Sequence, residues 1–133
     1  MSADKSPIKV RDVAHHTPIL VDGLATVQEA VQLMNTRNVS ALVVSRRDEG
    51  DEYGLVLLTE VARQVVSQNR SLSRTSVYEV MIKPAPSVDA DMDIKYAIRH
   101  MTRFGLSHCI VLHGRELAGV VSQNEMTLRC TDA

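Results

Sequence analysis

Seven consecutive residues, Gly119-Val120-Val121-Ser122-Gln123-Asn124-Glu125, bring a hydroxyl and a carboxylate close together. Gly119 to Val121 read as the end of a buried strand and Ser122 opens a helix, so backbone N–H groups and a hydroxyl face whatever lies beyond the strand. Such a junction can hold an anion. Ser122 and Glu125 also have the S-x-x-E spacing of a capping box, in which Ser122 accepts from the N–H of Glu125 and Glu125 reaches back. The residues by themselves leave capping and ligand binding both open.

Other reactive side chains form no pattern of comparable kind. His15-His16, His100, His108, His113 and Cys109 have no spacing that matches a tetrahedral metal site. There is no G-x-S-x-G elbow, no P-loop and no paired carboxylates on a shared motif, so catalysis has nothing to run on. With one Phe, three Tyr and no Trp, the chain also lacks a stacking platform for single-stranded nucleic acid.

The junction has a partner earlier in the chain. Sliding Val10–Ser45 onto Val77–Leu112 aligns Val10 with Val77, Val13 with Val80, Val21-Asp22 with Val88-Asp89, Ala30 with Ala97 and Met34 with Met101. Ser40 then meets Ser107, and Val44 meets Val111. Further on, Gly54 pairs with Gly119, Val56 with Val121 and Glu60 with Glu125. The chain is one motif written twice, with two extra residues in the first copy's polar turn, Arg46 to Glu52.

Each copy predicts the same elements. In the first, Val10 to Val13 is an amphipathic lead-in, and Thr17-Pro18-Ile19-Leu20-Val21 is extended because the residue before proline is pushed out of the helical region. Thr26 caps a helix carrying Val27, Ala30, Val31 and Met34 on one face, and Asn38 stops it. Ala41–Val44 and Tyr53–Leu58 form an antiparallel hairpin, and a helix from about Thr59 to Ser67 follows. After a polar, serine-rich stretch, Val77 to Met81 repeats the lead-in and Lys83-Pro84-Ala85-Pro86-Ser87-Val88 is again extended. Asp93 caps a helix with Ile94, Ala97, Ile98 and Met101 inward. His108–Leu112 and Glu116–Val121 make the second hairpin, turning at His113-Gly114-Arg115. The partition is 8–68 for the first repeat, 69–76 for a linker and 77–130 for the second.

At 133 residues and 44% hydrophobic content, the chain can bury one core or two small ones. A formal charge of −1 with acids and bases interspersed gives no field to draw nucleic acid or an anionic membrane. Cys109 and Cys130 lack a CxxC spacing and suit reduced thiols. Met1 to Ser6 contain no apolar run to act as a signal, and no stretch is long enough to span a bilayer, so the expected location is cytoplasmic.

A doubled β-α-β-β-α unit, each hairpin ending in glycine, aliphatics and a polar helix start, resembles the CBS domain, and the pair resembles a stand-alone Bateman module. The resemblance implies a mixed α/β (α+β) fold with pseudo-twofold symmetry, sheets packed face to face, helices outside, and clefts that take adenine nucleotides or adenosyl compounds. It also implies the pattern G-h-h-T/S-x-x-D, which Gly119 to Glu125 match with Glu125 in place of Asp. On that basis the ligand residues are Gly119, Val121, Ser122 and Glu125, joined by Ser107, His108, Lys83, Pro84 and Ser87. Ser122 would meet phosphate or ribose, and Glu125 the ribose hydroxyls. In the first copy Leu57 stands where the hydroxyl belongs, leaving Thr59, Glu60, Ala41 and Thr17 as weaker candidates. Ile110 stands where the family has proline, as does Val43, and Asn38 replaces a glycine. Lys83, Arg99 and Arg103 are the nearest candidates for phosphate.

Two functions follow from the resemblance. The first is a regulatory sensor for AMP, ADP, ATP or S-adenosylmethionine, with no cofactor required, acting through a homodimer or a regulated protein. The second is a ligand-free pair used for dimerisation or docking. The homodimer is expected because Val61, Val65 and Val66 in one copy, and Met126 with Leu128 or Cys130 in the other, are more apolar helix face than the sheets can cover.

Overall fold

The computed structural model describes residues 7–132, so the expectation for Met1 to Ser6 lies outside the described residues. The chain divides into two compact units. One is the continuous stretch Ile19–Ala85, and the other joins the segment up to Pro18 to the chain from Pro86 onward.

In the continuous unit, β1 (Leu20–Val21) runs parallel to β2 (Ala41–Val44), which pairs antiparallel with β3 (Gly54–Leu57). The crossover between β1 and β2 is α2 (Val27–Arg37). Thr26 caps it by accepting from the Glu29 N–H at 3.1 Å, and Asn38 ends it in the left-handed conformation, φ 55°. Val27, Ala30 and Met34 face inward, and the buried residues Leu42, Val44, Val56, Val61 and Val65 complete the core around them. The helix expected from Thr59 starts one residue earlier as α3 (Leu58–Val61) and widens into a π-helical turn over Ala62–Val66. The polar stretch 69–76 is tied down within this unit, since Thr75 is buried and its carbonyl accepts from the N–H of Val27 at 2.8 Å.

The discontinuous unit repeats the plan. β4 (Ser87–Asp89) is parallel to β5 (His108–His113), which is antiparallel to β6 (Glu116–Ser122). Between β4 and β5 runs α4 (Ile94–Phe104), capped by Asp93 and closed by Gly105 at φ 64°. The hairpin turns at Gly114-Arg115, with Gly114 at φ 65°. α5 (Gln123–Arg129) follows β6, and Val88, Met101, Cys109, Val111, Val121 and Met126 form the core. The hairpins share one register, since Val44 faces Gly54 and Val111 faces Gly119.

The lead-ins are exchanged. α1 (Val10–Val13) and His15 belong to the unit of the second hairpin: Val10 is buried in its core, and His15 and Val120 exchange backbone hydrogen bonds at 2.9 and 3.1 Å. The matching Ile82 exchanges bonds with Leu55 of the first hairpin at 2.8 and 2.9 Å, and Val77 and Val80 enter that core. The dimer argument loses most of its apolar surplus here. Of the residues named for it, Val61, Val65 and Met126 are buried in their own units, Cys130 is half-buried, and Val66 and Leu128 remain exposed.

Candidate functional site

Ser122 ends β6 and caps α5, and its side chain has two partners. Its Oγ accepts from the Glu125 N–H at 3.0 Å and donates to Glu125 Oε1 at 2.8 Å. The expected capping box is therefore altered, because the carboxylate folds onto the serine hydroxyl. Its other oxygen, Oε2, pairs with His15 Nε2 across 110 positions of sequence. Ser122 is buried, whereas the side chains of Glu125 and His15 are 37% and 66% exposed. A carboxylate gripped on both oxygens has its orientation set, yet each oxygen keeps lone-pair capacity beyond its one partner.

Gly119 is needed for packing. A Cβ there would lie 2.4 Å from the carbonyl oxygen of His15, so the backbone pairing of His15 with Val120 requires glycine. The same pairing brings His15 within reach of Glu125. No motif in the sequence announced His15 as part of this cluster; the available signal was the repeat, which sets His15 against Ile82.

Ser107 and His108 join the cluster. His108 lies opposite Ser122 in the β5–β6 ladder, the Ser107 carbonyl accepts from the Gln123 N–H at 2.9 Å, and Ser107 Oγ lies 2.9 Å from His108 Nδ1. Burial pushes the His108 pKa down, and the nearby Glu125 charge opposes this more weakly. His108 is thus held toward its neutral form, able to accept as well as donate. Val121 is buried in the core, and Ser87 is exposed on β4 opposite Ile110. The buried thiol of Cys109 is pushed up to about 11, which keeps it protonated and unreactive.

Lys83 and Pro84 lie in the continuous unit. Lys83 Nζ donates to Asp51 in the first hairpin's turn at 2.9 Å, and Asp51 also accepts from the Arg47 N–H. These bonds, Lys83 first, hold the Asp51 carboxyl well below the usual carboxylate range. The first-copy candidates are spread differently. Ala41 pairs with Leu57, Thr59 and Glu60 are on α3, and Thr17 is exposed in the other unit. Glu60 is held by Arg63 at 2.7 Å and Gln64 at 2.9 Å, with Arg63 the larger cause of its lowered pKa. Arg99 and Arg103 are exposed on α4. Among the described residues no group of three or more His, Cys, Asp or Glu could hold a metal, and no helix is long and apolar enough to cross a membrane.

Comparison with known proteins bears on the whole arrangement. The hexameric CBS-CP12 protein from bloom-forming cyanobacteria superposes with a TM-score of 0.90 at 26% identity, covering 93% of this chain and 68% of that one. The CBS domain pair of protein MJ0100, solved in complex with 5′-methylthioadenosine and S-adenosyl-L-methionine, superposes with a TM-score of 0.80 over 95% of this chain and 98% of its own; at 18% identity this speaks to the fold. An uncharacterized 33.4 kDa protein in the ribosomal RNA operon of Thermofilum pendens is 23% identical over 92% of this chain. The alignment spans only 43% of that relative's length. The family model of the CBS domain matches twice, over residues 10–67 and 77–129. With both repeats matched and the fold shared, the chain belongs to the CBS-domain family and is a CBS pair, a regulatory class of module.

Proposed function

We propose that this CBS pair senses an adenine nucleotide or adenosyl compound through Ser122 and Glu125 and passes its occupancy to a second copy or a regulated protein. The observation that carries the reading is the Glu125 carboxylate, oriented by Ser122 and His15 while more than a third exposed. A carboxylate held in this way can accept both vicinal hydroxyls of a ribose with little reorganisation. Ser107 and His108 border it and supply further polar contacts. The adenosyl ligands of the MJ0100 pair support the ligand class by analogy of fold. A homodimer and a cytoplasmic setting belong to the same reading, supported by the hexameric relative and by two free cysteines. The reading needs no catalytic residue.

The test is a thermal melt against AMP, ADP, ATP and S-adenosylmethionine. A ligand at about a hundred times its dissociation constant adds about 2.7 kcal/mol, roughly a ten-degree rise for a chain of this size. At least one of the four should produce it, and Glu125→Gln should reduce it sharply, since the amide removes a charge-assisted acceptor. A rise undiminished by the substitution removes Glu125 from the site.

One observation favours an assembly module with empty clefts. Ser122 and Glu125 satisfy each other, His15 takes the remaining oxygen, and Gly119 serves packing, so every motif position has a local duty. No stabilisation by any of the four ligands decides for this second reading.

A further inference from the structure

The outward face of α4 carries two rows that α2 lacks. Lys95, Arg99 and Arg103 recur every fourth residue, and Tyr96, His100 and Phe104 recur beside them. All six are exposed, Tyr96 at 60% and Phe104 at 61%, while Ile94, Ala97 and Met101 bury the opposite face. The side chains order one another: the Arg99 guanidinium lies over the Tyr96 ring at 5.3 Å, and the rings of His100 and Phe104 are 5.0 Å apart. At the matching positions α2 has Gln28, Gln32 and Thr36 in one row and Glu29, Leu33 and Arg37 in the other. That is an ordinary solvated face.

The α4 rows are locally unfavourable. Like charges four residues apart on a helix repel, and α4 contains no acid to offset them. Among the described residues, no carboxylate lies within ion-pair distance of Lys95, Arg99 or Arg103, although Arg11, Arg47, Arg63, Arg70 and Lys83 all have one. The cations span about 12 Å of helix, next to an aromatic row of equal length. A carboxylate row beside an apolar row would complement both.

We propose that this face docks an acidic amphipathic helix of a partner protein, its carboxylates along Lys95, Arg99 and Arg103 and its apolar side chains against Tyr96, His100 and Phe104. Rows spaced by four residues on both helices interdigitate when two helices pack. A nucleic acid matches less well, because three cations on a chain of net charge −1 release few counterions, and the aromatic row would have no phosphate to meet.

The test is fluorescence anisotropy on the full chain with a labelled helical peptide bearing glutamate and leucine rows at four-residue spacing, and a matched lysine peptide. The acidic peptide should bind and the lysine peptide should not. The triple variant Lys95→Glu, Arg99→Glu, Arg103→Glu should reverse that preference; Arg99→Glu alone, with circular dichroism as the check on folding, stands in if the triple variant does not fold. Phe104→Ala should weaken binding about tenfold, and Gln28→Glu with Gln32→Glu on α2 should leave it unchanged. The proposal is overturned if the acidic peptide does not bind, or if binding ignores the charge reversal. Tighter binding to single-stranded RNA or phosphatidylserine vesicles, or a self-association that the triple variant abolishes, would overturn it equally.

Discussion

Each hairpin ends on an acid three residues beyond its last strand position, and the two acids are held by different neighbours. Glu125 is held by Ser122 and by His15, which comes from the far end of the chain. Glu60 has Leu57 and Ile82 at those positions, and turns instead to Arg63 and Gln64 on its own helical stretch. The backbones match closely, since Ile82 pairs with Leu55 as His15 pairs with Val120. Two side-chain differences therefore turn one fold position from a local surface ion pair into a carboxylate positioned by groups from outside its helix. A duplicated scaffold can keep its packing in both copies while only one copy holds a polar site.

The largest break in this comparison should come from the glycines. Gly119→Ala sets a Cβ against a backbone carbonyl at 2.4 Å, whereas Gly54→Ala meets the Met81 sulfur and Val44 Cβ at 3.1 Å. A thioether can shift and a paired backbone cannot. Gly119→Ala should cost about 3 kcal/mol or more and Gly54→Ala about 1, read as denaturant midpoints at a common m-value. Equal losses would show that the His15 segment is not held as described.

Next in size is a graft. Leu57→Ser with Ile82→His rebuilds the polar pair in the first copy; loss of the buried Leu57 should cost about 2–3 kcal/mol, offset by about 1 from the new cap on α3. If the sensing reading holds, titration calorimetry should find one adenosyl site per chain before the graft and a second, weaker one after it.

His15→Ala should leave stability within about 1 kcal/mol, as expected of an exposed side-chain pair. Its effect should appear in ligand response, because Glu125 loses one of the two groups that orient it. An unchanged response would reduce His15 to a packing residue.

The smallest effect is in pH. Burial lowers the pKa of His108 in the folded chain, so on acidification the unfolded chain takes up this proton first. Stability should therefore fall as pH drops through about 6.5 toward the folded value, and level off below it. His108→Gln should flatten that part of the profile in a series of melts.

How much of this could be read from sequence follows from where each interaction sits along the chain. Thr26, Asn38, Asp93 and Ser122 announce helix ends because capping acts within three or four residues, and all four occupy the expected positions. The common hairpin register follows from the repeat, since one pattern folds twice. The widened turn at Ala62–Val66 had no marker, as its side chains fit an ordinary helix. The His15–Glu125 pair was hidden by distance, and nothing around Gly119 in the sequence shows that a Cβ there would meet the His15 carbonyl. Neither local propensity nor periodicity reports which distant segment will lie against a strand.

The exchanged lead-ins bear on which pieces of this chain can exist by themselves. Residues 19–85 contain a whole sheet, its crossover helix and the lead-in that closes it, so that fragment should fold as an autonomous unit and melt cooperatively. A fragment cut at the repeat boundary, 77–130, keeps a lead-in that belongs to the other unit and lacks Val10 and His15. It should be largely unstructured until a peptide of residues 7–18 is supplied in trans, and structure should then form by complementation. A gene cut along the visible repeat would thus separate parts that fold only together.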